Sequence, residues 1–226
     1  MQIVFTPLHP SAIKRQRNVE QRKSTALDRA GNRPDCGRVD SLPWPNVEAR
    51  VALGLGAVGP DQMRPLELGA SGVLGQLRTT PLGPGDRVVA DVWGVGADFR
   101  WRINRCFGVM GEFYTGQTLG TYSGGILQTI NTLTLEGIRS SGGWLEVFLY
   151  WTPSLHSHFG YGIDDPIDRD VAARGPVRNE TIFCNLLWDV TQSLRFGFEF
   201  TWRETDYKTL LDNEGAGFHT QFQWSF

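Results

Sequence analysis

Cysteine is scarce. The 226 residues hold three, Cys36, Cys106 and Cys184, an odd number at spacings that fit neither a closed disulfide framework nor a metal knuckle. Charge of one sign is lacking too. Against 24 Asp and Glu stand 22 Lys and Arg, a formal charge of −2, so the chain as a whole has no basic excess for gripping a phosphate backbone. This argues against nucleic acid as a partner. Long hydrophobic runs are also missing. The longest uncharged stretch, 113–135, covers 23 residues but is filled with Gly, Thr, Ser, Gln and Asn. A spanning helix needs roughly 20 predominantly apolar residues. That excludes a helical membrane protein and leaves a transmembrane β-barrel open, because barrel strands alternate and never build such a run.

What is present is glycine and aromatic side chain: 27 Gly, 13 Phe and 8 Trp. The length suits one domain with a tail. Residues 1–46 stand apart, with eight basic residues against four acids, hence +4, which leaves −6 on 47–226. Neither a helical nor a strand period runs through them, and Pro34, Pro43 and Pro45 interrupt the end. The composition predicts a disordered basic tail. The opening, MQIVFTPLHP, is broken by Pro7 and Pro10 and has no basic segment ahead of an apolar core, so it does not have a signal-peptide layout.

From Val47 onward the period is two. Near the C-terminus Phe218, Thr220, Phe222, Trp224 and Phe226 share one face, with His219, Gln221 and Gln223 on the other. Upstream, Leu194, Phe196, Phe198, Phe200 and Trp202 oppose Arg195, Gly197, Glu199, Thr201 and Arg203. Strict alternation over about ten residues is the length of a tilted strand crossing a bilayer. Weaker versions lie at 181–190, 155–163, 143–151, 106–116 and 88–101, and the faintest at about 47–57 and 65–77. The reading is all-β: an antiparallel meander of about nine strands over 47–226, forming a partial, open transmembrane β-barrel. Short turns at 102–105, 152–154 and 191–193 alternate with long links at about 117–141, 164–178 and 204–214. Outer-membrane barrels sort their connections in this way, with short periplasmic turns and longer outer loops.

A soluble β-sandwich or barrel that binds a ligand alternates too, but buries its apolar face. Here the apolar faces carry Trp101, Trp151, Trp202 and Trp224 near strand ends, as in an aromatic girdle, and the polar faces are rich in Gly and uncharged groups. The inverted, membrane version is favoured.

The final strand, GFHTQFQWSF, resembles the C-terminal assembly signal of bacterial outer-membrane proteins, carried by Phe222, Trp224 and Phe226. The stretches GGWLEVFLYWTPSLHSHFGYGIDDP and NETIFCNLLWDVTQSLRFGFEF resemble the C-terminal half of porin-type proteins, of the DcaP-like and planctomycete kinds. The resemblance covers about 88–226. It implies an outer-membrane location, passive diffusion of small hydrophilic solutes, contact with outer-membrane lipids, recognition of the last strand by the barrel-assembly machinery, and a homotrimer for a full-length chain. Nine strands are about half of a porin's 16–18. With the missing signal layout, this makes an N-terminally truncated copy the expectation.

Polar-face positions then become pore-lining candidates: Glu112, Tyr114, Glu146, His156, His158, Arg195, Glu199, Arg203, His219 and Gln221. The long link contributes Gly124, Gly125, Gln128 and Asn131 as constriction-loop candidates, since a loop folded into a lumen narrows it. His156 and His158 share a strand face but lack an evident third ligand, so no metal is assigned. Asp164, Asp165, Asp168 and Asp170 read as a solvated acidic loop without EF-hand spacing. No G-x-S-x-G is present, and Ser157 points away from its flanking histidines. No catalytic residue and no cofactor are therefore assigned. An outer-membrane lipid hydrolase is kept only as a further alternative.

Overall fold

Alternation of β-branched and aromatic residues with Gly, Ser and charged residues favours a pleated strand that buries one face differently from the other. Among the described residues nine such strands form. The computed structural model describes residues 44–59, 64–79 and 88–225. The reading of residues 1–46 as a tail lies outside these except for Trp44–Asn46, and Phe226 lies outside them too. The strands are β1 (Val47–Leu55), β2 (Leu66–Thr79), β3 (Val88–Arg102), β4 (Phe107–Gln117), β5 (Arg139–Thr152), β6 (Leu155–Pro166), β7 (Pro176–Asp189), β8 (Leu194–Tyr207) and β9 (Asn213–Trp224). They lie in one sheet in chain order, every neighbour antiparallel. β1 and β9 are its two edges, so the sheet is open and not a closed barrel. Among the described residues no helix is long and apolar enough to cross a membrane.

Directly opposed residues share a face, so the register carries face identity across the whole sheet. Phe222 faces Phe196, which faces Trp188, which faces Leu155. Farther along, Phe159 faces Val147, which faces Val109, which faces Trp101, which faces Leu66. One face is thus apolar from β1 to β9, and it is the open one: Phe198 is 54% exposed and Phe218 83%. On the other face Glu146 and His156 are 8% and 5% exposed. A soluble sandwich would show the reverse.

Two expectations change. The strands outlast the apolar band, so the long links shrink to 118–138, 167–175 and 208–212. Polar residues continue the ladders there. Asn179 donates to Thr205 Oγ1 at 2.7 Å, and Arg178 pairs with Asp206 at 2.9 Å. The last link is barely longer than the turn at 190–193, so the sorting of short against long is clear only for the first two. Asp164 and Asp165 consequently belong to β6 and not to a loop. The second change concerns the polar face, which carries an apolar patch on β2 and β3. Val73 and Val92 pack there with Leu119 from the 118–138 segment, with Leu77, Tyr114 and Tyr122 around them.

Candidate functional site

All ten pore-lining candidates fall on the polar face. Glu112 and Tyr114 sit on β4, Glu146 on β5, His156 and His158 on β6, Arg195, Glu199 and Arg203 on β8, and His219 and Gln221 on β9. They do not form one cluster. Toward the short-turn end, Glu146 Oε1 accepts from His158 Nδ1, and the His156 ring stacks on Tyr150 at 5.0 Å. Arg195 forks onto Asp189 at 2.5 and 3.1 Å. His156 Nδ1 lies 3.9 Å from the same carboxylate with no hydrogen-bond partner. The Arg100 guanidinium lies 5.7 Å over the Phe148 ring, closing this patch on the β3 side. Among the described residues no three His, Cys, Asp or Glu side chains gather to hold a metal.

Charge pairing divides the candidates. Glu146 and Arg195 are matched by partners, whereas among the described residues Glu112, Glu199 and Arg203 make no ion pair. Glu112 lies opposite Asp98, a like charge that Arg50 compensates from two strands away. Arg50 and Asp98 escape a sequence reading because 48 residues separate them; only the register brings them together. Ser157, on the apolar face, accepts from Trp151 Nε1 at 2.8 Å, and its flanking histidines point the other way. At Ser157, therefore, no Ser–His pair forms.

The 118–138 segment folds back over the polar face. At its root the Thr118 amide donates to the Ile138 carbonyl, and Leu119 sits in the β2–β3 patch. Its middle is held by Asp164. The Tyr114 hydroxyl donates to Asp164 Oδ1 at 2.5 Å, and the Gly125 and Ile126 amides donate to the same carboxylate at 3.0 and 2.6 Å. Tyr114 on β4 reaches β6 because Gly142 stands between them on β5; a Cβ there would strike the tyrosine ring. Gln128 Nε2 donates to the Pro176 carbonyl at 2.7 Å, and Asn131 Nδ2 to the Asp170 carbonyl at 2.9 Å. Gly124 lies against the Tyr114 ring. The four constriction-loop candidates therefore all lie in a segment that crosses from β3 toward β7.

Asp164 was legible only as a loop charge. The missing signal was parity: it continues the face of His156, His158, Gly160 and Gly162 by even steps. At the outer end Arg139 forks onto Asp170 at 2.7 and 2.8 Å, holding that carboxyl below the usual carboxylate range. Lys208 Nζ donates to the Asp168 and Val171 carbonyls, both at 2.7 Å, and so ties the 167–175 link to the neighbouring one.

No protein-family model matches the chain, and no curated protein does. Among solved structures it is similar to the outer-membrane channel DcaP of Acinetobacter baumannii, with a TM-score of 0.62 at 12% identity. The match covers 80% of this chain and 51% of that one. The chain thus spans about half the length of that channel. At this identity the likeness concerns the fold, and it places the open sheet among β-barrel architectures.

Proposed function

We propose that the chain forms part of the wall of a porin-type, water-filled pore in the outer membrane, through which small hydrophilic solutes diffuse passively. The observation that carries this reading is the inverted sheet. Phe198, Phe218 and Phe222 stand open on one face, while charged and hydroxyl groups line the other beneath a folded-back loop. In a bilayer the first face meets lipid and the second meets water. The 118–138 segment is the constriction, with Gly124, Gly125, Gln128 and Asn131 on it. Solutes are screened by its bulk and by the wall charges Glu112, Glu199 and Arg203. Outer-membrane lipids and the barrel-assembly machinery, acting on Phe222, Trp224 and Phe226, are the partners this reading requires. The sheet is the C-terminal part of a larger barrel, which in full-length form is open to trimer assembly.

Facing is the test. In a background with Cys36, Cys106 and Cys184 changed to Ser, single variants Gln221→Cys and Phe198→Cys are probed in membranes with a charged, water-soluble thiol reagent. Gln221→Cys reacts and Phe198→Cys does not. Equal labelling of the two, or labelling at Phe198→Cys alone, overturns the proposal.

A further inference from the structure

The segment over the polar face is held in a backbone conformation that its residues do not favour. Five non-glycine residues between Thr118 and Leu135 have positive φ: Thr118 (62°), Ser123 (69°), Ile126 (51°), Leu127 (61°) and Leu135 (63°). Ile126 is the sharpest case, because a β-branched side chain in the left-handed region crowds its own backbone. Such residues persist only where surrounding contacts over-determine them. The contact that meets Ile126 is one carboxylate. Asp164 takes the Ile126 amide on Oδ2 at 2.6 Å and the Gly125 amide on Oδ1 at 3.0 Å, while the Tyr114 hydroxyl donates to that same Oδ1 at 2.5 Å and lies 3.2 Å from the Gly125 amide.

We propose that Asp164 is a latch. It positions the 118–138 segment over the polar face against the backbone strain at Ile126 and Leu127, and without it the segment's middle swings off that face. The root stays anchored, since Thr118 and Ile138 are paired and Leu119 is packed between Val73 and Val92. Gln128 follows the turn because its amide nitrogen also bonds to the Gly125 carbonyl. Asn131, on the Asp170 carbonyl at 2.9 Å, keeps the far limb in place, so in this proposal only the turn at 124–128 has two positions, latched and free. This rests on the reading of the segment as a constriction. Its consequence there is that Asp164 sets the width of the water path without touching the solute.

Amide hydrogen exchange on the detergent-folded chain tests the latch whether or not the chain conducts. Asp164→Asn removes the charge from the acceptor. The Ile126 and Gly125 amides then exchange at least about tenfold faster, as loss of a charge-assisted bond implies, while Leu145 and Phe159 in β5 and β6 keep their wild-type rates. Ile126→Gly separates stored strain from simple support. Glycine ordinarily loosens a segment, but here it accepts the left-handed conformation, so both amides slow by about fivefold. In the double variant with Asp164→Asn it restores part of the lost protection. Unchanged exchange at Ile126 in Asp164→Asn overturns the latch, and so does faster Gly125 exchange in Ile126→Gly. If Asp164→Asn does not fold, the Ile126→Gly result decides alone. Failure of the pore proposal appears in the thiol labelling and leaves these rates untouched.

Discussion

Arg50 on β1 grips Asp98 on β3 across the whole width of β2, with Nε and Nη2 at 3.1 and 2.5 Å from the two carboxylate oxygens. Gly69 makes this possible. It lies opposite Asp98, and a Cβ at that position would collide with both the carboxylate and the guanidinium. The pair cancels the charge that would otherwise face Glu112 on β4. Both partners are about one third exposed, so the ion pair itself contributes under about 1 kcal/mol. Arg50→Ala is expected to cost no more than that in denaturant unfolding of the detergent-folded chain. Gly69→Leu adds overpacking of about 1–3 kcal/mol and turns both side chains out. A Gly69→Leu variant as stable as Arg50→Ala shows that the bridge does not depend on the gap.

The outer link 167–175 carries a pH dependence of definite sign. Arg139 lowers the Asp170 carboxyl in the folded chain. A depressed carboxyl contributes stability that is fully present above its unfolded value, near pH 3.9, and is lost as pH falls through the lower folded value. The Val171 amide, which donates to Asp168, reports on this link. Its exchange protection, corrected for intrinsic rate, stays flat down to about pH 4 and falls below it. In Arg139→Gln the protection above about pH 4 is lower and the fall below it is diminished, because the folded carboxyl then titrates closer to its unfolded value. Identical profiles in the two proteins remove Arg139 as the cause.

How much of this was readable beforehand differs from strand to strand. β8 was plain because five large apolar residues, Leu194 to Trp202, alternate without a break, and β9 because Phe218, Phe222 and Trp224 keep the same parity. β2 was faint because Gly69, Gly72 and Gly75 interrupt its pattern, and Gly69 is there to let the Arg50 and Asp98 side chains meet. Strand ends were misjudged where the apolar band stops but the ladder does not: Arg178 and Asp206 pair as strand residues although neither is apolar. The latch was hidden for a different reason. Tyr114, Gly142 and Asp164 line up only once the registers of β4–β5 and β5–β6 are known, and local spacing carries no trace of that.

Selectivity should follow unpaired charge. Glu112 and Glu146 share a face on adjacent strands, but Glu146 is engaged by His158 and Glu112 has no ion-pair partner among the described residues. In a reconstituted channel Glu112→Gln shifts the reversal potential away from cations, and Glu146→Gln shifts it less. The reverse order, or no shift from Glu112→Gln, removes Glu112 from the selectivity wall.

The edges make the last prediction. β9 pairs with β8 on one side, and among the described residues the opposite side of its backbone meets no strand. Lipid offers no hydrogen bonds, so an edge left bare in a bilayer costs several kcal/mol for each unsatisfied group. In an antiparallel pair the amides of one strand point alternately toward and away from the partner. Along 215–223 exchange in detergent should therefore split by parity: every second amide is protected by β8, and the amides between them exchange at nearly unstructured rates. β1 should show the same split against β2. Addition of a partner that covers the edge should protect the fast set and leave the slow set as it was. Protection of both parities in the isolated chain means that the edge is already covered, and the open sheet is then not the state in detergent.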